Sequence, residues 1–438
     1  MDRACHRGTD EPAQHRAGVP RGGRAEREGD IPITASSTNP ASVTVVGAGL
    51  AGLRTVEGLR RRGYQGRVVL IGAEPHLPYD RPPLSKQVLR GEHDEPWLLP
   101  GDGLAGLDAE VVLGHRVAEL DTARRALRGP DGWQPYDVLV IATGLSPRRV
   151  PGLGGSVLRT LDESRALRGR LRPGSRLAVV GAGLIGCEVA ASARSAGVEV
   201  DLIDVLPGPL IRVVGEPVCD LVADLHREHG VRLHMSTGAT RATRADDSAA
   251  DDSAAEDSAA DDSDDAIRLA LSDGTHLDAD VLLQAVGGVP DTGWLAGSGL
   301  TLDDGIACDA DGRAADGVYA AGDVARWDGH RGEHWTSAGE QADRVAAVIL
   351  GQQPPPAVPA YWWSDQYDIK LQGMGSLHPD DQVHLLRYGP KERPLALYER
   401  AGLLTGVVGF SVPAAVMKLR ADIIAGTPAA AVLDRLAR

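Results

Sequence analysis

The apolar and polar positions of this chain repeat with two different periods. A polar lead of about forty residues gives way at Ser42 to Val43, Thr44, Val45 and Val46, a short run suited to a strand covered on both faces. Gly47, Ala48, Gly49, Leu50, Ala51 and Gly52 follow at once, and then Leu53, Val56 and Leu59 at helical spacing up to Gly63. A second apolar run, Val68 to Ile71, leads to Glu74. The pattern predicts strand, glycine turn, helix, strand and acid. It occurs again: Leu177 to Val180, then Gly181, Gly183 and Gly186, a helix to Gly197, and a strand from Val198 to Ile203 that ends at Asp204. Two more apolar runs, DVLVIATG from Asp137 to Gly144 and GVYAAGD from Gly317 to Asp323, predict buried strands that end in tight turns.

A G-x-G-x-x-G run is frequent by chance in a chain with 54 glycines. Between a strand and a helix it is specific. The first glycine allows the tight turn, the second lets backbone approach a pyrophosphate, and the third lets the helix pack closely. The helix N-terminus then offers unpaired amides and a positive dipole end to phosphates, while Glu74 or Asp204 can accept from ribose hydroxyls. Two such units imply two dinucleotides, and the simplest chemistry using both is hydride transfer from a nicotinamide to a flavin. Asp204 would accept from the 2′-hydroxyl of NADH and repel the 2′-phosphate of NADPH, and no arginine follows before Arg212. Asp323, taken alone, reads as a helix N-cap. After two fingerprints it reads as a carboxylate at a strand edge that binds a polyol hydroxyl.

Composition narrows the class. With 438 residues and 42% apolar positions the chain has material for several cores. The net charge of −15 argues against a nucleic-acid or anionic-membrane surface as its main business. Ten of the 61 acids lie in residues 245–265, a repeat of Asp, Glu, Ser and Ala, which leaves −5 for the rest. That repeat and residues 1–40 lack an apolar face and are predicted to be disordered. Cys5, Cys187, Cys219 and Cys308 are far apart, so neither a disulfide framework nor a cysteine zinc site is expected, and no metal is. Cys187 on the second helix and Cys308 in a predicted turn read as packing residues. No run of about 18 apolar residues predicts a membrane span, and a cytoplasmic location is the expectation.

These motifs resemble the FAD-dependent, NADH-oxidising ferredoxin reductases that feed bacterial oxygenases and cytochromes P450, the putidaredoxin-reductase-like family. The resemblance covers about residues 42–425. It rests on the two fingerprints, on YDRPPLSK from Tyr79 to Lys86, on Val318 to Asp323, and on WWSDQY from Trp362 to Tyr367. It implies an α/β, glutathione-reductase-like fold: two Rossmann-type dinucleotide-binding domains plus a C-terminal α+β domain. The FAD domain would comprise 41–155 and 285–350, the NAD domain 156–284 with the acidic insertion, and the C-terminal domain 351–438. Residues 1–40 and the acidic repeat have no counterpart in the family.

Carried over by position, Gly47, Gly49, Ala51 and Glu74 would hold the ADP half of FAD, with Gly52 in the same cofactor-binding turn, and Lys86, Arg159 and Asp323 would contact its flavin half. Arg81, Val117, Ala142, Thr143, Gly144 and Gly322 complete the set, with Trp335 beside the ring. Gly181, Gly183, Ile185, Gly186, Asp204 and Gly287 fall to NADH. Glu188 is implied to pair with Lys86 beside flavin N5, and these two are the catalytic candidates: the ammonium would stabilise negative charge on the reduced flavin. Trp362 and Trp363 read equally as flavin-edge residues or as core. The implied partner is a [2Fe–2S] or [3Fe–4S] ferredoxin, with the enzyme a monomer or homodimer. Docking an acidic ferredoxin requires a local basic patch, for which Arg387, Lys391, Arg393, Arg400, Lys418 and Arg420 are candidates. The alternatives are an NADH reductase of a small acceptor such as a quinone, an ascorbate-like radical or oxygen, and a redox-sensing interaction partner. Disulfide reduction is disfavoured, because the stretch that carries the dithiol in related enzymes here reads PYDRPPLSK.

Overall fold

The computed structural model describes residues 39–99, 103–244, 266–378 and 380–437. Strand β1 (Ser42–Val46), helix α1 (Leu50–Arg61) and strand β2 (Arg67–Ile71) form the first predicted unit. β1 lies inside a six-stranded sheet, paired in parallel with β2 on one side and with Val138–Ile141 on the other. Val318–Ala320 joins Val138–Ile141 in parallel, so a segment remote in sequence completes this sheet. The strands are near-continuous apolar runs because both faces are covered: Val43, Val45 and Val140 pack against α1 and the helix Trp335–Ile349, and Val46, Leu139 and Ile141 against Leu120 and Leu127 of a small antiparallel sheet. α1 crosses the helix Trp335–Ile349 closely: a Cβ on Gly58 would lie 3.0 Å from that of Ala346.

Between these two segments the chain builds a second parallel sheet, ordered Arg232–Met235, Glu199–Asp204, Arg176–Val180 and Val281–Gln284. Helix α2 (Leu161–Arg170) precedes it, started by a capping box between Thr160 and Glu163. Helix α3 (Leu184–Ser195) follows its first strand, as predicted. A paired ribbon, Leu145–Pro147 against Gly288–Pro290, carries the chain out of the first sheet and back. A three-stranded antiparallel sheet flanks the second unit, and in it Arg244 pairs with Ile267. The acidic repeat therefore joins two adjacent antiparallel strands. The predictions of disorder for 245–265 and for the N-terminal lead through residue 38 lie outside the described residues.

Five antiparallel strands, in the order Tyr361–Gln366, Ile369–Gly375, Leu403–Phe410, Arg393–Arg400 and Gln382–Tyr388, make the C-terminal sheet, and three short helices follow. Its inner face shares one hydrophobic core with α3, in which Trp362, Leu371, Tyr398 and Phe410 join Cys187, Val189 and Ala190. Two local expectations differ. Cys308 closes a short strand, Ile306–Cys308, rather than sitting in a turn. Asp323 caps no helix; it lies in a turn that runs into the strand Ala325–Trp327.

Candidate functional site

The turn after β1 is fixed by steric closure. A Cβ on Gly47, whose φ is +112°, would lie 2.2 Å from the carbonyl oxygen of Ala142, and one on Gly52 would lie 1.8 Å from that of Gly47. Gly49 differs: a Cβ there would meet nothing within 4 Å. It is the N-cap of α1 and carries no side-chain cap, so the first-turn amides of α1 are free to face a ligand. They border a cleft of about 530 Å³ whose walls include Val117, Ala142, Thr143, Gly144 and Gly322. Ala51 touches this cleft and packs beneath Gly322, where an added Cβ would come within 2.9 Å of its own. Gly52 does not line it; its place is inside the turn.

Polar groups converge along the cleft. Glu74 accepts from the Tyr79 hydroxyl at 2.6 Å and from Arg81 at 2.9 Å, and burial pushes the Tyr79 phenol up, which keeps it a donor. Arg81 also donates to the Arg159 carbonyl, and Arg159 contacts Asp323 at 3.3 Å. Burial first, and then the Arg81 charge, push the Arg159 guanidinium down. Its Nε is buried with no hydrogen-bond partner among the described residues. Each arginine has a carboxylate beside it, and the unfilled Arg159 Nε–H leaves a buried donor for an acceptor on a ligand.

Beyond the arginines, a short 3-10 turn, Pro82–Ser85, aims Lys86 into the cleft. Its ammonium meets Glu188 of α3 at 2.8 Å, with 3% and 5% of the two residues exposed. Ser85 donates to the same carboxylate oxygen, and Ser364 donates to the other at 2.9 Å. α3 begins at the second glycine turn, which repeats the first: a Cβ on Gly181 would lie 2.3 Å from the Ala285 carbonyl oxygen, one on Gly186 1.9 Å from that of Gly181, and one on Gly183 in open space. Asp204 accepts from the amides of Ala182 (2.6 Å) and Leu206 (2.9 Å), and a carboxylate has lone pairs left for a ribose. Of this second group, Ile185 and Glu188 reach the first cleft. Gly181, Gly183, Gly186, Asp204 and Gly287 stand outside it, at or just beyond the C-terminal ends of the second sheet's strands.

Sequence reasoning named Trp335 and passed over its partner Asp80. Trp335 donates its indole N–H to Asp80 at 2.6 Å and meets Trp363 edge-on at 5.8 Å. Burial pushes Asp80 up against the opposing pull of Trp335 and Lys86. Asp80 stood in the YDRPPLSK motif as the neighbour of Arg81, and nothing local marked it. Trp362 is buried and Trp363 half-buried, and both border the cleft.

The chain matches the family model described as pyridine nucleotide-disulphide oxidoreductase over residues 41–342, and the reductase C-terminal model over 361–435. It belongs to that family. Within it, the chain is closely related to the ferredoxin reductases of oxygenase systems. It is 36% identical over 398 residues to the anthranilate 1,2-dioxygenase system ferredoxin–NAD(+) reductase component of Burkholderia cepacia, covering 86% of this chain and 91% of the relative. It is also 36% identical to the benzene 1,2-dioxygenase system ferredoxin–NAD(+) reductase subunit of Pseudomonas putida, over 73% of this chain and 77% of that one. Among solved structures, the reductase of the covalent putidaredoxin reductase–putidaredoxin complex superposes with a TM-score of 0.81 at 29% identity, covering 89% of this chain and 94% of the other.

The family's name refers to disulphides, and the described thiols stand away from the cleft. Cys187 and Cys219 are buried, none of the described cysteines lines the cleft, and all are free. Burial pushes the Cys219 thiol up to about 11 and that of Cys308 up to about 12, the opposite of an activated thiolate. No group of three or more metal-ligating side chains occurs among the described residues, and no described helix is long and apolar enough to cross a membrane. Of the basic candidates, Arg400 is engaged by Asp381 at 2.6 Å and Arg393 by Asp368 at 3.8 Å.

Proposed function

We propose that this chain is an FAD-dependent oxidoreductase that takes hydride from NADH and passes electrons singly to a [2Fe–2S] or [3Fe–4S] ferredoxin of an oxygenase or P450 system. One observation carries the reading: a buried Lys86–Glu188 pair ties the helix of the second glycine cradle to the cleft of the first, and none of the described thiols lines that cleft. The names of the relatives, reductase components that pair ferredoxin with NAD(+), support the choice of partner and coenzyme. A six-stranded sheet that is parallel but for one edge strand and a fully parallel four-stranded sheet, each with a glycine cradle, together with an antiparallel C-terminal sheet, support a glutathione-reductase-like arrangement with two Rossmann-type domains. The FAD domain is then 41–155 with 285–350, the NAD domain 156–284, and the third domain 351–438, in a cytoplasmic protein.

The residues present fit FAD. The unpartnered Arg159 Nε, the opposed Arg81 and the open face of Gly49 suit an anionic pyrophosphate. Gly47, Gly49 and the first amides of α1 would hold it, and Glu74 would accept from the ribose. Val117, Thr143 and Gly322 would wall the flavin half, Asp323 would bind its polyol chain, and Trp335 would flank the ring. Gly183, Ile185 and Asp204 would hold NADH. FAD bound there supplies an acceptor for hydride that releases electrons one at a time, which matches an iron–sulfur centre. The protein contributes charge and position: Lys86, held by Glu188, favours negative charge developing in the cleft. No side chain need act as acid, base or nucleophile. The test is Lys86→Ala: rapid-mixing absorbance should show flavin reduction by NADH slowed at least tenfold with FAD retained. An unchanged rate removes Lys86 from the mechanism.

A further inference from the structure

The strand Tyr361–Gln366 alternates strictly, and Trp362, Ser364 and Gln366 face inward. Two of these three are polar, and both are 0% exposed. Buried polar groups are costly unless paired, and these are paired in series. Ser364 donates to Glu188 at 2.9 Å, the Gln366 amide nitrogen donates to Ser364 at 3.1 Å, and the Gln366 amide oxygen meets His226 Nε2 at 3.0 Å. His226 Nδ1 meets the Tyr367 hydroxyl at 2.9 Å.

The carboxylate fixes every proton in this series. Glu188 in its ion pair with Lys86 can only accept, so the Ser364 hydroxyl donates to it and offers Gln366 only lone pairs. Gln366 must then turn its NH2 to Ser364 and its oxygen to His226. His226 must donate from Nε2, which leaves Nδ1 to accept from Tyr367. Burial pushes the His226 imidazole down to about 4, in keeping with a neutral ring. Tyr367 is held in the left-handed region, φ +56°, in a two-residue turn, and its ring stacks on His229 at 3.7 Å. A two-residue hairpin loop calls for a positive φ at its first position.

We propose that Ser364, Gln366 and His226 are positioning residues: a one-way hydrogen-bond relay from the C-terminal sheet and the helix Glu216–Glu228 that fixes the Glu188 carboxylate, and through it the Lys86 ammonium, at the flavin site. This rests on the reading of the cleft as an FAD site. Gln366 cannot pass a proton on without changing its own bonding, so the relay orients and does not conduct. Cutting it leaves the Glu188 charge less dispersed and Lys86 less fixed, and both make the site less hospitable to a reduced, negatively charged flavin.

The test has two arms. In the holoenzyme, Ser364→Ala and Gln366→Met should shift the flavin reduction equilibrium about tenfold toward the oxidised form, close to 30 mV for a two-electron couple, with FAD affinity retained. Ser364→Thr should restore the wild-type potential. In the full-chain apoprotein, a long-range 1H–15N spectrum, with His226 assigned by its loss in His226→Asn, should show one neutral tautomer protonated on Nε2 at pH 7. Wild-type potentials in folded, FAD-replete Ser364→Ala and Gln366→Met overturn the relay, and so does a charged or Nδ1-protonated His226. A wild-type protein that holds no FAD overturns the flavin reading instead, and the tautomer then decides the relay without it.

Discussion

The glycine cradles yield a prediction whose sign differs between neighbouring residues. Gly49→Ala adds a methyl group into open space at φ −86° and ψ −165°, a backbone that alanine accepts. Alanine is a poorer N-cap than glycine but loses less backbone entropy on folding, two effects of about 0.5–1 kcal/mol that oppose each other. The apoprotein should therefore unfold in urea within about 1 kcal/mol of wild type. The same methyl group stands where a phosphate must approach. Displacing that phosphate from two charge-assisted amide bonds, about 1.5 kcal/mol each, weakens FAD binding by about 3 kcal/mol, more than a hundredfold in Kd. Gly47→Ala should behave in the opposite way. At φ +112° with a carbonyl oxygen 2.2 Å from the new Cβ, it strains the fold itself, by about 1–3 kcal/mol from the backbone alone. FAD fluorescence titration of the apoproteins, beside urea unfolding, separates the two. A Gly49→Ala protein that binds FAD within threefold of wild type refutes the cradle assignment.

The second cradle should respond independently: Gly183→Ala keeps FAD but weakens NADH at least tenfold by titration of the flavin spectrum, and equal weakening of both cofactors contradicts two separate sites. Asp204→Ala should weaken NADH more than NADPH, and an unchanged ratio of the two affinities sinks the coenzyme assignment. Asp201 gives a pH signature. Burial opposes its ionisation, but hydrogen bonds from Arg232 and His234 prevail and hold its carboxyl down at about 2. With the folded value below the unfolded one, its stabilisation is present above about pH 4 and is lost as pH falls toward 2; urea unfolding across that window should show a flatter acid limb for Asp201→Asn. Cys187 and Cys219 should resist a disulfide reagent at pH 7 until the protein is unfolded, and fast labelling of either in the native state contradicts their burial.

Much of the first cleft was legible because its constraints are local and steric. Gly52 and Gly186 are required by the carbonyls of Gly47 and Gly181 within the same turn, and such contacts leave a spaced motif in the sequence; Gly47 and Gly181 themselves close against Ala142 and Ala285, remote in sequence. Lys86 and Glu188 were legible only through a resemblance, since nothing short of the folded core brings α3 against Pro82–Ser85. Ser85 and Glu188 are 103 positions apart. The relay was invisible for a different reason. The alternation of Tyr361–Gln366 places Ser364 and Gln366 inward, but a lone buried hydroxyl or amide carries no sign of which distant group will satisfy it. Asp80 likewise owes its role to a tryptophan 255 positions away. Cys308 was misplaced because a three-residue strand is too short for its period to show.

In the proposed function, electrons pass from NADH through the cleft to a small iron–sulfur protein. Anaerobic rapid-mixing absorbance tests it most directly: reduce the flavin with NADH or NADPH, then mix with a purified [2Fe–2S] or [3Fe–4S] ferredoxin from the same organism. The account predicts fast reduction by NADH, slower reduction by NADPH, and reoxidation in one-electron steps matched by bleaching of the iron–sulfur band. Fast reduction with no transfer to any ferredoxin, but rapid turnover with a quinone or oxygen, would contradict it.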